Sequence, residues 1–202
     1  MTAEDLYKYI KKLYGVNDAI VCDLHNPCKL NRLCPNSPTH PVLDFDAIKT
    51  AFQTGRPGDT PSSTDGITYV GRRFCFVEVK GWLEFLRHLK AKDIDRASAK
   101  KAASYNLEKK LTESREICEI ITDDKGLFSE IPVTFVLVTD INTESDGIEM
   151  FYSKMFSLAL SADNLFDSCN RELKARLDEI PYDIPTVYIS CKDFDEKLAQ
   201  LA

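Results

Sequence analysis

The stretch TDGITYVGRRFCFVEVKG, residues 64–81, decides the fold. Ile67 to Val70 and Arg73 to Lys80 are rich in β-branched and aromatic residues, and Gly71-Arg72 between them suits a tight two-residue turn, so the stretch reads as a β-hairpin. With the turn at Gly71-Arg72, Val70 pairs with Arg73, and counting outward sets Asp65 opposite Glu78. Directly opposed residues have Cβ atoms about 4.5–5.5 Å apart, where like charges repel unless a cation or a proton compensates them. Lys80 follows Glu78 by two residues and shares its face, while Val77 and Val79 turn to the other. The strand is otherwise apolar, with Phe74, Cys75 and Phe76 leading into Glu78, and charges in such a strand need partners. A hard cation such as Mg²⁺ or Mn²⁺, which takes one or two carboxylates and completes its shell with water and phosphate, fits this set. The plain alternative is an ordinary same-face Glu–Lys pair on an edge strand, with Asp65 a turn residue.

On the N-terminal side, Thr2 and Asp5 form a capping-box pattern, and Leu6, Tyr9, Ile10 and Leu13 recur at helical spacing up to Gly15. Five prolines between Cys22 and Gly58 limit regular structure there to a short helix over Asp46 to Phe52, which predicts a Pro/Cys-rich loop or small subdomain at about 22–58. On the C-terminal side, Trp82 to Thr122 contains no proline and reads as helix in two pieces broken near Asp93-Ile94-Asp95. Residues 132–139 and 185–190 read as strands, and 147–180 as helix interrupted near 161–164. No strand candidate lies between Asp46 and Asp65. The order predicts a single α/β domain over residues 1–202, with a mixed central sheet flanked by helices.

With 202 residues, 44% of them hydrophobic, the chain can bury one sizeable core. No apolar run is long enough to span a membrane, and the N-terminus lacks the pattern of an export signal, so a soluble chain is expected. Seven cysteines are an odd number for a disulfide framework, which favours reduced thiols and a cytoplasmic location. A net charge of −6 argues against coating nucleic acid through bulk positive charge. The charge is uneven, however. Arg87, Lys90, Lys92, Arg96, Lys100, Lys101, Lys109 and Lys110 cluster against Asp93, Asp95 and Glu108, whereas the last third is acidic and could dock a protein partner or a second copy.

Asp65, 12 intervening residues, then Glu78-Val79-Lys80 ending an apolar strand resembles the PD-(D/E)XK nuclease superfamily. The following helix and the strand at 133–138 agree with that family's restriction-endonuclease-like αβββαβ core, although Thr64 stands where proline is common. The resemblance implies that Asp65, Glu78 and the Val79 carbonyl bind Mg²⁺ or Mn²⁺ and that Lys80 orients or activates the attacking water. It implies a metal-dependent endonuclease or exonuclease acting on nucleic acid, DNA before RNA. A further acidic residue from an early helix is expected, with Glu4, Asp44 and Asp46 as candidates. Lys100, Lys101, Tyr105, Lys109 and Lys110 lie on the helix expected to flank the site and are candidates for nucleic-acid backbone contacts. Catalytically silent members that bind nucleic acid or protein are the alternative.

Cys22, His25, Cys28, Cys34 and His40 offer five Zn²⁺ ligands within the proline-rich loop, which could make a zinc-stabilised interaction module. Their spacing contains no C-x2-C knuckle, so buried thiols and ordinary imidazoles are the competing expectation. Cys75, Cys118, Cys169 and Cys191 read as core residues, and His88 as a helix-surface residue.

Overall fold

The computed structural model describes residues 1–24, 38–88, 94–141, 143 and 163–202. The first helix, α1 (Ala3–Tyr14), starts as its sequence dictates: the Thr2 side chain takes the Asp5 N–H, the Asp5 carboxylate takes the Thr2 N–H, and left-handed Gly15 closes the far end. A 3-10 turn (Val21–Leu24) precedes β1 (Leu43–Asp44) and α2 (Phe45–Gln53), capped by the Asp44 carboxylate on Ala47 N. The hairpin follows as β2 (Gly66–Val70) and β3 (Arg73–Lys80), with Val70 paired to Arg73 and Gly71 at φ 53°. Glycine accepts that left-handed conformation without steric cost.

After β3 come α3 (Leu83–His88), α4 (Ile94–Ala103), α5 (Leu107–Thr122) and α6 (Leu127–Glu130). The helical region is divided at Ser104–Asn106, with Asn106 left-handed, and α4 begins at Ile94, within the expected break, while residues 89–93 lie outside the described residues. Lys90 and Lys92 fall outside the described residues. The chain then forms β4 (Val133–Thr139), α7 (Asp163–Leu177), β5 (Thr186–Ser190) and α8 (Phe194–Ala199).

The fold is mixed α/β, with a five-stranded sheet in the order β1-β2-β3-β4-β5. The β1–β2 and β2–β3 pairs are antiparallel, and the β3–β4 and β4–β5 pairs are parallel. Thus β3 is the central strand, not an edge. On one face Phe74 and Phe76 pack with Phe45 and Phe128 in a core that also draws residues from α1, α2, α5 and α7. On the other, Cys75, Val77 and Val79 pack with Val136, Val138, Ile189, Phe194 and Leu198. Among the described residues no helix is long and apolar enough to cross a membrane.

Candidate functional site

At the carboxyl end of β3, the face that began with Phe74 and Phe76 turns charged. Glu78 is fully buried, beside Leu137 of β4, and its side chain is 0% exposed against 15% for Lys80, 16% for Asp65 and 23% for Lys110. The last backbone pair of the hairpin is Gly66 with Val77, so continuing the register sets Asp65 against Glu78. Asp65 does not extend the ladder with its main chain, because its carbonyl turns to accept from Phe45 N (3.0 Å). Its carboxylate takes over the next donor, accepting from Val79 N at 2.7 Å. That bond fixes the Asp65 side chain at the mouth of the site.

Two ammonium groups join the carboxylates. Lys80 Nζ contacts Glu78 Oε1, lies 3.5 Å from Asp65 Oδ2 and donates to the Val79 carbonyl at 3.2 Å. Lys110 Nζ reaches the same Glu78 Oε1 at 2.6 Å and lies 3.7 Å from Asp65 Oδ1. Lys80 also sits 5.1 Å from the centre of the Tyr105 ring, which limits how far it swings. Glu78 Oε2, by contrast, is buried without a hydrogen-bond partner.

The geometry of α5 explains how Lys110 gets there. Residues three and four apart share a helix face, so Lys110 lies above Glu113 and Ser114. Those two hold the chain just before Asp65: the Glu113 carboxylate accepts from Ser62 N, and Ser114 Oγ accepts from Thr64 N at 2.9 Å. One helix thereby sets the approach of Asp65 and supplies the second ammonium. Asp46, in the first turn of α2, accepts from Ser63 Oγ and pairs with Lys49 at 2.7 Å. Of the three acidic candidates it faces the site segment, whereas Glu4 pairs with Lys8 and Asp44 caps α2.

Burial raises the pKa of Glu78, with Asp65 adding to the rise and the two lysines opposing it. Burial works against the charge of Lys110, yet Glu78 and Asp65 together outweigh it and hold its proton above the ordinary lysine range. Asp46 shows the reverse balance to Glu78: burial pushes it up, but Lys49, Ser63 and Lys110 bring it below the usual value.

At the end of β4, the Asp140 carboxylate accepts from Trp82 N (2.6 Å) and Leu83 N, which fixes the turn leaving Lys80. Asp140 was not legible in the sequence, because nothing local marks a carboxylate following a buried strand as the anchor of a turn 57 or 58 residues earlier. Lys101 donates to the Gly81 carbonyl at 3.3 Å and lies over the Phe85 ring at 4.3 Å. Lys100 is exposed, and Lys109 is exposed beside Glu113. The helix lysines thus divide: Lys110 enters the site, Lys101 supports the turn next to it, and Lys100 and Lys109 face solvent.

No three His, Cys, Asp or Glu side chains among the described residues are grouped to hold a metal ion. The Asp65–Glu78 pair offers two carboxylates and the Val79 carbonyl, oxygen donors of the kind Mg²⁺ takes with its water-rich shell, and Glu78 Oε2 has no hydrogen-bond partner of its own. Of the zinc candidates, His25, Cys28 and Cys34 lie outside the described residues. Cys22 is buried in the second core, and His40 shares a 2.9 Å hydrogen bond between Nε2 and Thr68 Oγ1. Because that hydroxyl donates to the Pro41 carbonyl, His40 Nε2 is the donor to it. Cys75, Cys118 and Cys169 are buried thiols, as expected, and burial pushes Cys75 up to about 12.

No family model matches this chain, and no curated protein or solved structure is detectably similar to it.

Proposed function

We propose that the chain is a metal-dependent phosphodiesterase of the PD-(D/E)XK type, cleaving nucleic acid, with DNA the first substrate to test. The observation that carries this reading is Glu78: a wholly buried carboxylate in the central strand, with one oxygen unpartnered and the other shared between two ammonium groups beside Asp65. Burying two carboxylates and two lysines has no advantage for stability over apolar side chains of similar volume, so function is the better reason for their presence. The element order supports the reading: α1, β1, β2 and β3, then helices and β4, follows αβββαβ with α2 placed between β1 and β2. The missing first strand is then β1, two residues long and before Asp46.

Asp65, Glu78 and the Val79 carbonyl would hold the cation, which when bound lowers the pKa of water and offsets charge on the phosphate oxygens. Lys80 lies at the mouth of the site between Val79 O and the Tyr105 ring, so its ammonium, once moved off Glu78, can hold a water or a phosphate oxygen there. Exposed Lys100 and Lys109 extend positive charge along the same helical layer for backbone phosphates.

The test is an assay of the purified chain on single-stranded DNA, duplex DNA and RNA with Mg²⁺ or Mn²⁺, with Glu78→Gln as control. Metal-dependent cleavage that disappears in the variant is the expected result. A second reading is favoured by one observation, that two ammoniums already neutralise two carboxylates: a silent binding module of the same fold. Stable nucleic-acid or protein complexes without cleavage under any of these conditions would establish it.

A further inference from the structure

The charge count in the site has a consequence for the order in which ligands bind. Two carboxylates face two ammoniums within hydrogen-bonding or ion-pair distance, and the neighbouring carboxylates Asp46 and Glu113 have partners of their own, Lys49 and Ser63 Oγ for the first and Ser62 N for the second. Lys80 alone touches all three proposed ligand groups, Glu78 Oε1, Asp65 Oδ2 and Val79 O, so its ammonium stands where a cation would. A divalent ion arriving by itself has to displace that ammonium and leaves a half-buried cluster with surplus positive charge. A phosphodiester arriving with the ion supplies the missing negative charge and gives a displaced ammonium a new partner.

We propose that Lys110 is the resident counter-ion of the Asp65–Glu78 pair, and that it makes uptake of the divalent cation dependent on simultaneous binding of a phosphodiester. The proposal rests on the metal-dependent reading of the site. Lys110 is suited to the task because α5 holds it through Glu113 and Ser114, so it remains on Glu78 Oε1 when Lys80 moves aside. By linkage, the cation must strengthen phosphodiester binding by the same factor as the phosphodiester strengthens cation binding.

Calorimetric titration of Mn²⁺ into wild type, Lys110→Met and Lys110→Arg decides it, with and without a phosphorothioate-substituted DNA duplex and with thermal unfolding to verify folding. Wild type and Lys110→Arg should bind Mn²⁺ weakly alone and about 5–150-fold more tightly with the duplex, the usual range for coupled sites. Lys110→Met should bind Mn²⁺ more tightly than wild type without DNA, and gain less from the duplex. Equal Mn²⁺ affinity in wild type with and without the duplex overturns the proposal while leaving the metal-dependent reading intact. If Lys110→Met does not fold, Lys110→Gln takes its place, and a gain from the duplex equal to that of wild type in the neutral variant overturns the role of Lys110. Absence of Mn²⁺ binding in every variant, with and without DNA, overturns both.

Discussion

The two faces of β3 differ in a way that separates structure from function. Beyond Arg73 at its start, one face carries Cys75, Val77 and Val79, apolar and buried in the smaller core. The other carries Phe74 and Phe76 in the larger core and then, without leaving the sheet, Glu78 and Lys80. A strand selected only for stability would have continued the second face as it continued the first, since Leu137 beside Glu78 shows that the neighbouring strand does so. On the proposed reading, the charged end is the site and the aromatic end its foundation.

The comparison breaks most readily in its foundation. Phe76→Ala removes a ring packed on Phe45, Phe74 and Phe128 and should cost about 3–5 kcal/mol in urea unfolding. Truncating Lys80 to alanine should leave stability closer to wild type, because Lys110 stays paired with Glu78 Oε1, yet lower metal-dependent cleavage by about 10²–10³-fold. Mn²⁺ affinity should survive in Lys80→Ala and be lost in Asp65→Ala, which separates a group acting on the attacking water from one holding the ion. Full activity in Lys80→Ala would remove the distinction between the faces.

How much of this was legible follows from the range of each determinant. The hairpin and its register could be read because a two-residue turn and a period of two fix every pairing from a local sequence. Lys110 could be grouped with the other helix lysines but not singled out. Its direction depends on where α5 starts, and that is set by left-handed Asn106, a boundary additional to the one expected near residue 94. β1 escaped notice because two residues pairing with Gly66 and Ile67 have no periodicity of their own. Asp140 and Asp46 act across long sequence separations, through Trp82 and Ser63, and only tertiary packing brings those pairs together.

The helix over the apolar face is also tied to the segment before β1 by hydrogen bonds. Asp195, on the helix covering that face, accepts from Thr39 N, Thr39 Oγ1 and His40 N. Burial pushes the Asp195 pKa up, but these hydrogen bonds bring it below the ordinary 3.8. A carboxylate depressed on folding adds stability that is present above its unfolded value and is lost as pH falls through the folded one. Asp195→Asn should therefore flatten the acid limb of the stability curve below about pH 4 and cost about 1 kcal/mol at neutral pH, leaving Mn²⁺ binding unchanged. A change in Mn²⁺ affinity in that variant would mean the two faces are coupled.

Whether the charged end of β3 holds a metal will be decided by the anomalous scattering of a crystal soaked in Mn²⁺ together with a phosphorothioate-substituted duplex. A single peak bounded by Asp65, Glu78 and the Val79 carbonyl, with Lys80 moved off Glu78, is the predicted result. A crystal that takes up the duplex but shows both ammoniums still on Glu78 and no peak between the carboxylates would contradict it.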